Sequence, residues 1–470
     1  MINASNMNEK TGLKAYLFEP VPAASLAIFR IAWGGIMFYF FGQLILWSNL
    51  GKIRYIDPIF HFKYPGFEWL ETLPPGLMNF TLYLGCVLAI MLLLGLYYRF
   101  ASIAMAIVYI YVFLMDVSYW NNHYYAYALV ALFFVVTDAH QAYSIDKWRL
   151  GLDGNVPRWN LYLFRFQFLI IYFYGGLSKL QNKDWIENLS GYSLVENSFA
   201  LKGWKIQHHI IYPLSMLITW GGLCFDLLIG WLLLWRKTLW IAFVFVVGFN
   251  MTNALFLRIG TFPYTMLLSF VLFIPPAEFA AFMTKRLGKK GLGEQRELTA
   301  VSNKTSLFQS LVLTGLAIFV CFQLLFPLRS LLFDGNVFWT KEGKLYSWHM
   351  MSGSSDVYTK MSVIEMDESK TLELNYSELL PENFLSPRQV KTLGIWPILI
   401  PQFARFLKKE AESAGFKNVE IRGEILVARN KRVFVPTVDP NVDLASVKTT
   451  YWGHNEWILR YSDEDGYFKD

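Results

Sequence analysis

The stretch 170-IIYFYGGLSKLQNKDW-185 holds six aliphatic or aromatic residues and a glycine pair before its first charge, Lys179. Read backwards it continues an apolar run that begins near residue 161, long enough to cross a bilayer as a helix. The same kind of run recurs along the chain. Windows of roughly 20 apolar residues at about nine places, roughly 22–47, 77–97, 101–118, 122–140, 161–180, 210–235, 239–257, 261–277 and 306–327, read as membrane spans. The chain has 470 residues, 54% hydrophobic and 18% aromatic, gathered in blocks, so the fold class expected is a polytopic α-helical membrane protein.

Charge supports an orientation rather than a nucleic-acid partner. The formal +6 comes from residues lying between spans, such as Arg99, Lys147, Arg149, Arg158, Arg236, Lys237, Lys285 and Arg286. Placing the N-terminus in the cytoplasm puts these on the inner side and leaves fewer outside, among them Lys52, Arg54, Lys63 and Lys183. An odd number of spans then puts everything after Pro327 outside. The polar opening MINASNMNEKTGLK leads into a run too long for a signal core, so the first span is expected to act as the insertion signal. Cys86, Cys224 and Cys321 fall in three different spans without zinc or redox spacing.

Past Pro327 the pattern changes. DVYTKMSVIEMD and VEIRGEILVARNKRVFVPTVDP alternate like half-buried strands, with Gly423 and Asn430 as turn candidates. PQFARFLKKEAESAGF has Phe403, Phe406 and Leu407 at helical spacing and Gly415 where a cap would fall. The expected organisation is a helical membrane domain over 1–327 and a small, β-rich extramembrane α+β domain over 328–470, docked on the spans. KKGLGEQRELTAVSNKT reads as a cytoplasmic linker, and GKIRYIDPIFHFKYPGFEWLETLPPG as an interfacial layer.

Ionisable groups at membrane depth are costly and raise functional hypotheses. Arg30, Asp116, Arg165, Lys179 and Asp226 are such groups, with Arg30, Arg165 and Asp226 also readable as interhelical ion-pair members. Gly175 and Gly176 lie just before Lys179 and leave a groove for a neighbour or a flat ligand beside the lysine stem. An ordinary snorkelling lysine is the alternative. SYWNNHYYAY offers Trp120 and tyrosines for an aromatic belt, with asparagines and His123 as hydrogen-bonding groups, while Asn250 and Asn253 lie three apart on one helix face. No HExxH, P-loop or GxSxG pattern is present in the sequence.

RIAWGGIMF, SYWNNHYYAYAL, YFYGGLSKLQNKDWIENLSGYSL, LRIGTFPYTML, KLYSWHMM and FVPTVDPNVDL occur in one order. In that order and spacing the chain resembles vitamin K-dependent gamma-glutamyl carboxylase and its microbial relatives, including the horizontally transferred transmembrane domain, from about Pro22 to about Trp457. The resemblance implies an enzyme that deprotonates reduced vitamin K, a naphthohydroquinone, and couples its reaction with O2 to removal of a glutamate γ-proton. CO2 then adds to the carbanion, the quinone epoxide is the coproduct, and no metal is required. A glutamate γ-CH is too weak an acid for a side-chain base, so a stronger base must be made in place.

By resemblance Lys179 is the hydroquinone base and His123 stabilises developing negative charge, which makes them the catalytic pair. Asn122, Trp120, Gly175, Gly176, Asn250 and Asn253 are the expected cofactor-binding residues. Tyr346, Trp348, His349 and Met350 are the expected substrate-binding residues. The base role requires a neutral amine, hence a dry pocket; a change from about 10.4 to about 7 corresponds to roughly 4–5 kcal/mol. Membrane lipid, a quinone and a glutamate-containing peptide or protein are the implied partners, and the bacterial inner membrane the implied location. Departures are Ser178 where animal enzymes have a second lysine, Asn250 at an animal histidine position, and the missing cysteine pair that ties the animal membrane and luminal parts. The chain also stops soon after DPNVDL, where animal enzymes continue with a luminal region involved in substrate-propeptide binding. These keep open a quinol-dependent oxygenase or epoxidase with another acceptor or none, and a non-enzymatic lipid or small-molecule transporter.

Overall fold

The computed structural model describes residues 12–257, 259–287, 306–350, 353–367, 370–375 and 384–461. The expected linker and the first eleven residues lie outside this set. Among the described residues six helices are long and apolar enough to cross a membrane: α1 (Ala24–Ile45), α2 (Pro75–Leu94), α5 (Trp159–Gln181), α7 (His208–Leu234), α8 (Leu239–Phe256) and α11 (Ser306–Leu325, prolonged by a 3-10 turn to Leu332). This is a multi-pass membrane protein.

Three of the nine expected spans take a different form. The windows near 101–118 and 122–140 become α3 (Tyr98–Leu114) and α4 (Asn122–Val136), each short of the length needed to cross straight through. The window 261–277 becomes α9 (Phe262–Ser269) and a 3-10 turn, and then α10 (Pro276–Leu287) leaves at a bend of 100°. Hydropathy counts apolar residues but does not register where Asp116 caps a tight turn before α4, or where Pro275 and Pro276 interrupt the ladder. Counting the bent pair as one span gives seven.

Polar groups inside the helical body find partners. Arg30 donates to three carbonyls, Ala139 (3.1 Å), Leu93 (3.4 Å) and Tyr143 (2.6 Å), and Arg165 donates to those of Leu272 and Ile274 (2.5 and 3.4 Å). The ion pairs expected for these two arginines are therefore replaced by helix-end carbonyls, which are left over wherever a helix stops. Asp226 is an interhelical ion-pair member, and its partner is Lys179.

Helix α6 (Leu189–Ala200) lies between α5 and α7 in the chain, and a short antiparallel ribbon pairs β1 (Pro20–Pro22) with β2 (Asn155–Pro157). The C-terminal part is a four-stranded antiparallel sheet in the order β4 (Lys370–Asn375), β3 (Ser355–Asp367), β5 (Val419–Arg429), β6 (Val435–Pro436). β3 and β5 run in register from Ser355 opposite Arg429 to Glu365 opposite Val419. Gly423 is not a turn: it sits mid-strand opposite Met361, and an added Cβ would lie 3.0 Å from Leu444 Cδ1. The chain reverses instead at Asn430 and Lys431, both with positive φ. Helix α12 (Pro387–Ile395) and helix α13 (Ile400–Ser413) pack on the sheet. α13 buries Phe403, Ala404, Leu407 and Ala411 on one face, and Gly415 follows its end at φ +98°. Burying each of the two larger side chains stabilises by roughly 1.5–3 kcal/mol.

This part is seated on the segment that follows α1. Phe60 packs against Phe403 and Phe406 (ring centroids 5.4 and 5.2 Å), while Gln402 brackets Lys63, accepting from its N–H (2.9 Å) and donating to its carbonyl (3.1 Å). Gln389 donates to the Phe60 carbonyl and to the Asp116 carboxylate, both at 2.7 Å. A second attachment is ionic and buried: Asp184 meets Arg432 at 2.6 Å, Arg429 at 3.7 Å and the Asn430 amide at 2.7 Å.

Candidate functional site

Where the two parts meet lies a cavity of about 390 Å³, bounded by the start of α4, the C-terminal halves of α5, α7 and α8, and the segments carrying His349 and Arg388. Its first wall comes from the turn before α4. Asp116 starts a 3-10 turn by accepting from the Ser118 N–H (2.8 Å), and Trp120 and Asn121 then run extended into the helix. This presents Trp120, Asn121, Asn122 and His123 to the cavity. The His123 ring stacks on Phe262 (5.7 Å) and meets Tyr124 edge-on (4.4 Å). The Tyr127 hydroxyl, 2.9 Å from both Thr261 and Thr265, ties α9 to α4 and so holds Phe262 there. Asn122 Nδ2 donates to the His349 carbonyl (2.7 Å), but its Oδ1 and the Trp120 indole N–H are buried with no protein partner. Such groups are rare in native interiors and mark places where a ligand can complete the bonding.

The second wall is ionic. Lys179, 3% exposed, contacts the Asp226 carboxylate of α7, itself 4% exposed, and its ammonium lies 5.1 Å from the Trp185 ring centre. Trp185 is fixed by its own bond to the Thr219 carbonyl (3.0 Å). The glycine pair explains how the two helices come close enough. A Cβ on Gly176 would lie 2.7 Å from Leu227 Cδ2 and 3.1 Å from its backbone nitrogen; one on Gly175 would lie 2.8 Å from Met350 Cε and 3.2 Å from Asp226 Oδ2. The groove expected beside the lysine stem is thus filled by α7 and Met350. Neither glycine lines the cavity.

The third wall comes from the segment 344–350, from Gly353 and from α12. Tyr346 and Trp348 both adopt positive φ, +63° and +56°, and use their rings as anchors. Tyr346 meets Trp120 and Tyr125 edge-on, whereas Trp348 is fully buried, packs on Tyr125 and donates to Gln323 (3.3 Å). Neither lines the cavity, but the strained backbone between these anchors delivers His349 and Met350 to it. Burial, together with Lys344, Lys341 and Arg429, pushes the His349 imidazole down to about 3, so it is neutral at ordinary pH.

Of the residues singled out from sequence, Trp120, Asn122, His123, Lys179, Asn250, Asn253, His349 and Met350 share the cavity. Gly175, Gly176, Tyr346 and Trp348 stand behind its walls. Four lining residues carry polar chemistry that the sequence reading did not assign to the site: Asp226, Tyr172, Lys344 and Arg388. Asp226 was visible as a lone acid in an apolar span. Lys344 and Arg388 lie in polar segments where a basic residue carries no signal.

A second cleft, about 870 Å³, opens between α1 and the α8–α9 connection, with Ala32, Gly35, Ile36 and Tyr39 along one face of α1. Leu257 belongs to both cavities. Among the described residues no group of three or more His, Cys, Asp or Glu side chains comes together that could hold a metal ion.

Residues 18–277 match the HTTM domain family, more than half of the chain, and residues 308–464 match the lumenal domain of vitamin K-dependent gamma-carboxylase. No solved structure matches the chain. The two matches follow one another along the chain and contribute facing walls of one cavity, and on these grounds the chain belongs to the vitamin K-dependent gamma-carboxylase family.

Proposed function

We propose that the protein is a membrane-embedded gamma-glutamyl carboxylase that uses vitamin K hydroquinone, O2 and CO2, with quinol epoxidation as its first half-reaction. The observation that carries this reading is the meeting of Lys179, His123 and Asn122 at one cavity, beside a buried acceptor and a buried donor that no protein group satisfies. At about 390 Å³ the cavity falls in the range of small-molecule sites. A flat ring bearing two oxygens fits that donor and acceptor set. Asn122 Oδ1 would accept from a hydroxyl and the Trp120 N–H would donate to an oxygen, while Asn250 and Asn253 stand on α8 within the same walls. The larger cleft would take an apolar tail through the membrane-facing side at Leu257.

When bound, reduced vitamin K supplies on reaction with O2 the strong base that the glutamyl γ-proton demands. The protein's own work is to receive, hold and screen. A buried Lys179 and Asp226 can share one proton as ammonium with carboxylate or as amine with carboxylic acid, and the second form leaves Nζ a lone pair with which to take a hydroxyl proton. Neutral His123, wedged against Phe262, is placed to donate a hydrogen bond to developing oxyanion charge. Exclusion of water by Trp120, Phe249 and Met266 strengthens these interactions. We assign residues 1–327 to the membrane domain and 328–470 to an extracytoplasmic domain that presents the glutamyl peptide. The N-terminus is assigned to the cytoplasm of a bacterial inner membrane.

The test is quinone epoxide formation by detergent-purified protein given reduced vitamin K, O2 and a glutamyl peptide, with labelled bicarbonate to follow carboxylation. Epoxide and labelled peptide from the parent, with neither from Lys179→Ala, are expected. Lys179→Arg should fail as well, because a guanidinium stays protonated. Epoxide without label points to another acceptor. No epoxide from folded parent with several quinols overturns the reading.

A further inference from the structure

Two cations face the cavity with no acid among the described residues to answer them. Lys344 and Arg388 both line it, and they come from different segments, one ahead of the strained Tyr346–Trp348 backbone and one in the first turn of α12. Every buried acid described nearby is already engaged. Asp226 belongs to Lys179, and Asp184 to Arg429 and Arg432. Asp116 is held by Gln389, Ser118 and His61. Glu342 is taken by His454 and by Asn455, whose N–H and side-chain amide both donate to it at 2.9 Å. What Lys344 has instead is the face of Trp396, 4.8 Å from its ammonium.

Lys344 is half-buried, and Arg388, itself exposed, rises from an anchored helix. α12 opens with a capping box in which Ser386 and Gln389 satisfy each other's backbone, and Gln389, Ser386 and Thr392 bond to Asp116, Tyr119 and Ser118. The helix turn that bears Arg388 is thereby fixed beside the turn that carries Trp120 and His123. Like charges brought together on the wall of a low-dielectric cavity repel, and the arrangement is relieved by an anion between them. A guanidinium fork beside an ammonium is the donor set that grips a carboxylate.

We propose that Lys344 and Arg388 form a carboxylate-recognition site, and that its ligand is the side-chain carboxylate of an acidic residue in a peptide substrate. The identity of that ligand as a glutamyl group rests on the carboxylase reading; the presence of a carboxylate site does not. The walls bearing both cations are built by the part of the chain outside the membrane helices, the side from which a water-borne peptide arrives. The larger cleft, formed by the membrane helices and their connections, adjoins the cavity at Leu257. Both groups are positioning residues: they select and orient the acid while Lys179 and His123 are left to the chemistry.

The experiment is calorimetric titration of the purified full chain with acetyl-Phe-Glu-Leu-amide and with its glutamine counterpart, no quinol present. The parent should bind the glutamate peptide about tenfold or more tightly than the glutamine one. Lys344→Met and Arg388→Gln should each cut that preference to about threefold or less, with binding of the glutamine peptide unchanged, and Lys344→Arg should retain most of it. Equal binding of the two peptides by folded parent overturns the proposal, as does a preference that survives both charge removals. A glutamate preference lost in the variants, in a parent that makes no epoxide, would uphold this site and sink only the carboxylase reading. Competition by bicarbonate or by short-chain phosphatidic acid in place of the peptide, with no glutamate preference, would reassign the site to those anions and refute it as a peptide site.

Discussion

Removing one member of the Lys179–Asp226 pair should cost far more than removing both. Each group is at least 96% buried, and the pair spans α5 and α7. At an effective dielectric of about 20, opposite unit charges about 4 Å apart attract by roughly 4 kcal/mol, and stripping one partner from a buried pair typically costs about 3–5 kcal/mol. Lys179→Met shortens an unbranched side chain by one atom, and Asp226→Leu keeps the branch point at Cγ. Each alone should therefore destabilise by about 3–5 kcal/mol, and the double variant, with no charge left to bury, by about 2 kcal/mol or less. The assay is thermal unfolding in detergent followed by tryptophan fluorescence, with Trp185 as a reporter beside the lysine. Activity gives the contrast, since the double variant should be stable and inert. A double variant that melts below both singles would refute the reasoning, because the loss would then come from packing around Gly175 and Met350 and not from charge.

Gly176→Leu should lower the melting point and abolish ligand binding together, since the new side chain must displace Leu227 backbone as well as side chain; cross-linking between engineered cysteines on α5 and α7 would report the separation. Asp184→Ala, which strips a carboxylate from the buried guanidinium groups Arg429 and Arg432, should cost about 3 kcal/mol or more and make the C-terminal part the first to be cut in limited proteolysis. Peptide binding should depend on pH through Lys344. Burial pushes its ammonium down to about 7, with Arg429 of β5 and Arg388 of α12 adding to the effect. Lys341 and His349 flank it on its own segment; His349 stays neutral, and Lys341, also held well below its usual value, donates to the Phe338 carbonyl away from the cavity. The charge is present below pH about 7 and lost above it, so affinity for the glutamate peptide should fall as pH rises from about 6 to about 8, and Lys344→Arg should flatten that profile. The sign for stability is opposite: a lysine depressed below its unfolded value makes folding more favourable as pH rises from about 7 towards about 10.5.

The sequence made most of the architecture legible because lipid leaves so little choice. Long apolar blocks gave six helices of crossing length directly, and period-two alternation gave β3 within a residue and the start of β5, although the turn expected at Gly423 falls inside that strand. It was less informative where the chain departs from the straight helix. The tight turn at Asp116 and the proline break before α10 are local backbone events, and window averages pass over them. At the site, resemblance pointed to Lys179, His123 and Asn122, which the fold does bring together, but residue type alone could not separate lining from support. Gly175 and Gly176 look like a ligand groove and serve as a contact between helices. Tyr346 and Trp348 look like a binding surface and act as anchors. Lys344 and Arg388 lie 44 positions apart in polar sequence, and only the folding of α12 onto the Asp116 turn makes them neighbours of one cavity.

That attachment of α12 to the turn before α4 also fixes a schedule. Trp120 and His123 are inserted early in synthesis, whereas the helix that braces their turn and supplies Arg388 is made some 265 residues later. A chain translated only as far as α9 already holds Lys179, His123 and the residues of the larger cleft, yet lacks the wall that α12 supplies. On the proposed function, oxygen chemistry on a quinol is withheld from the nascent protein until this helix docks, and a late-made segment acts as the safety catch on an early one.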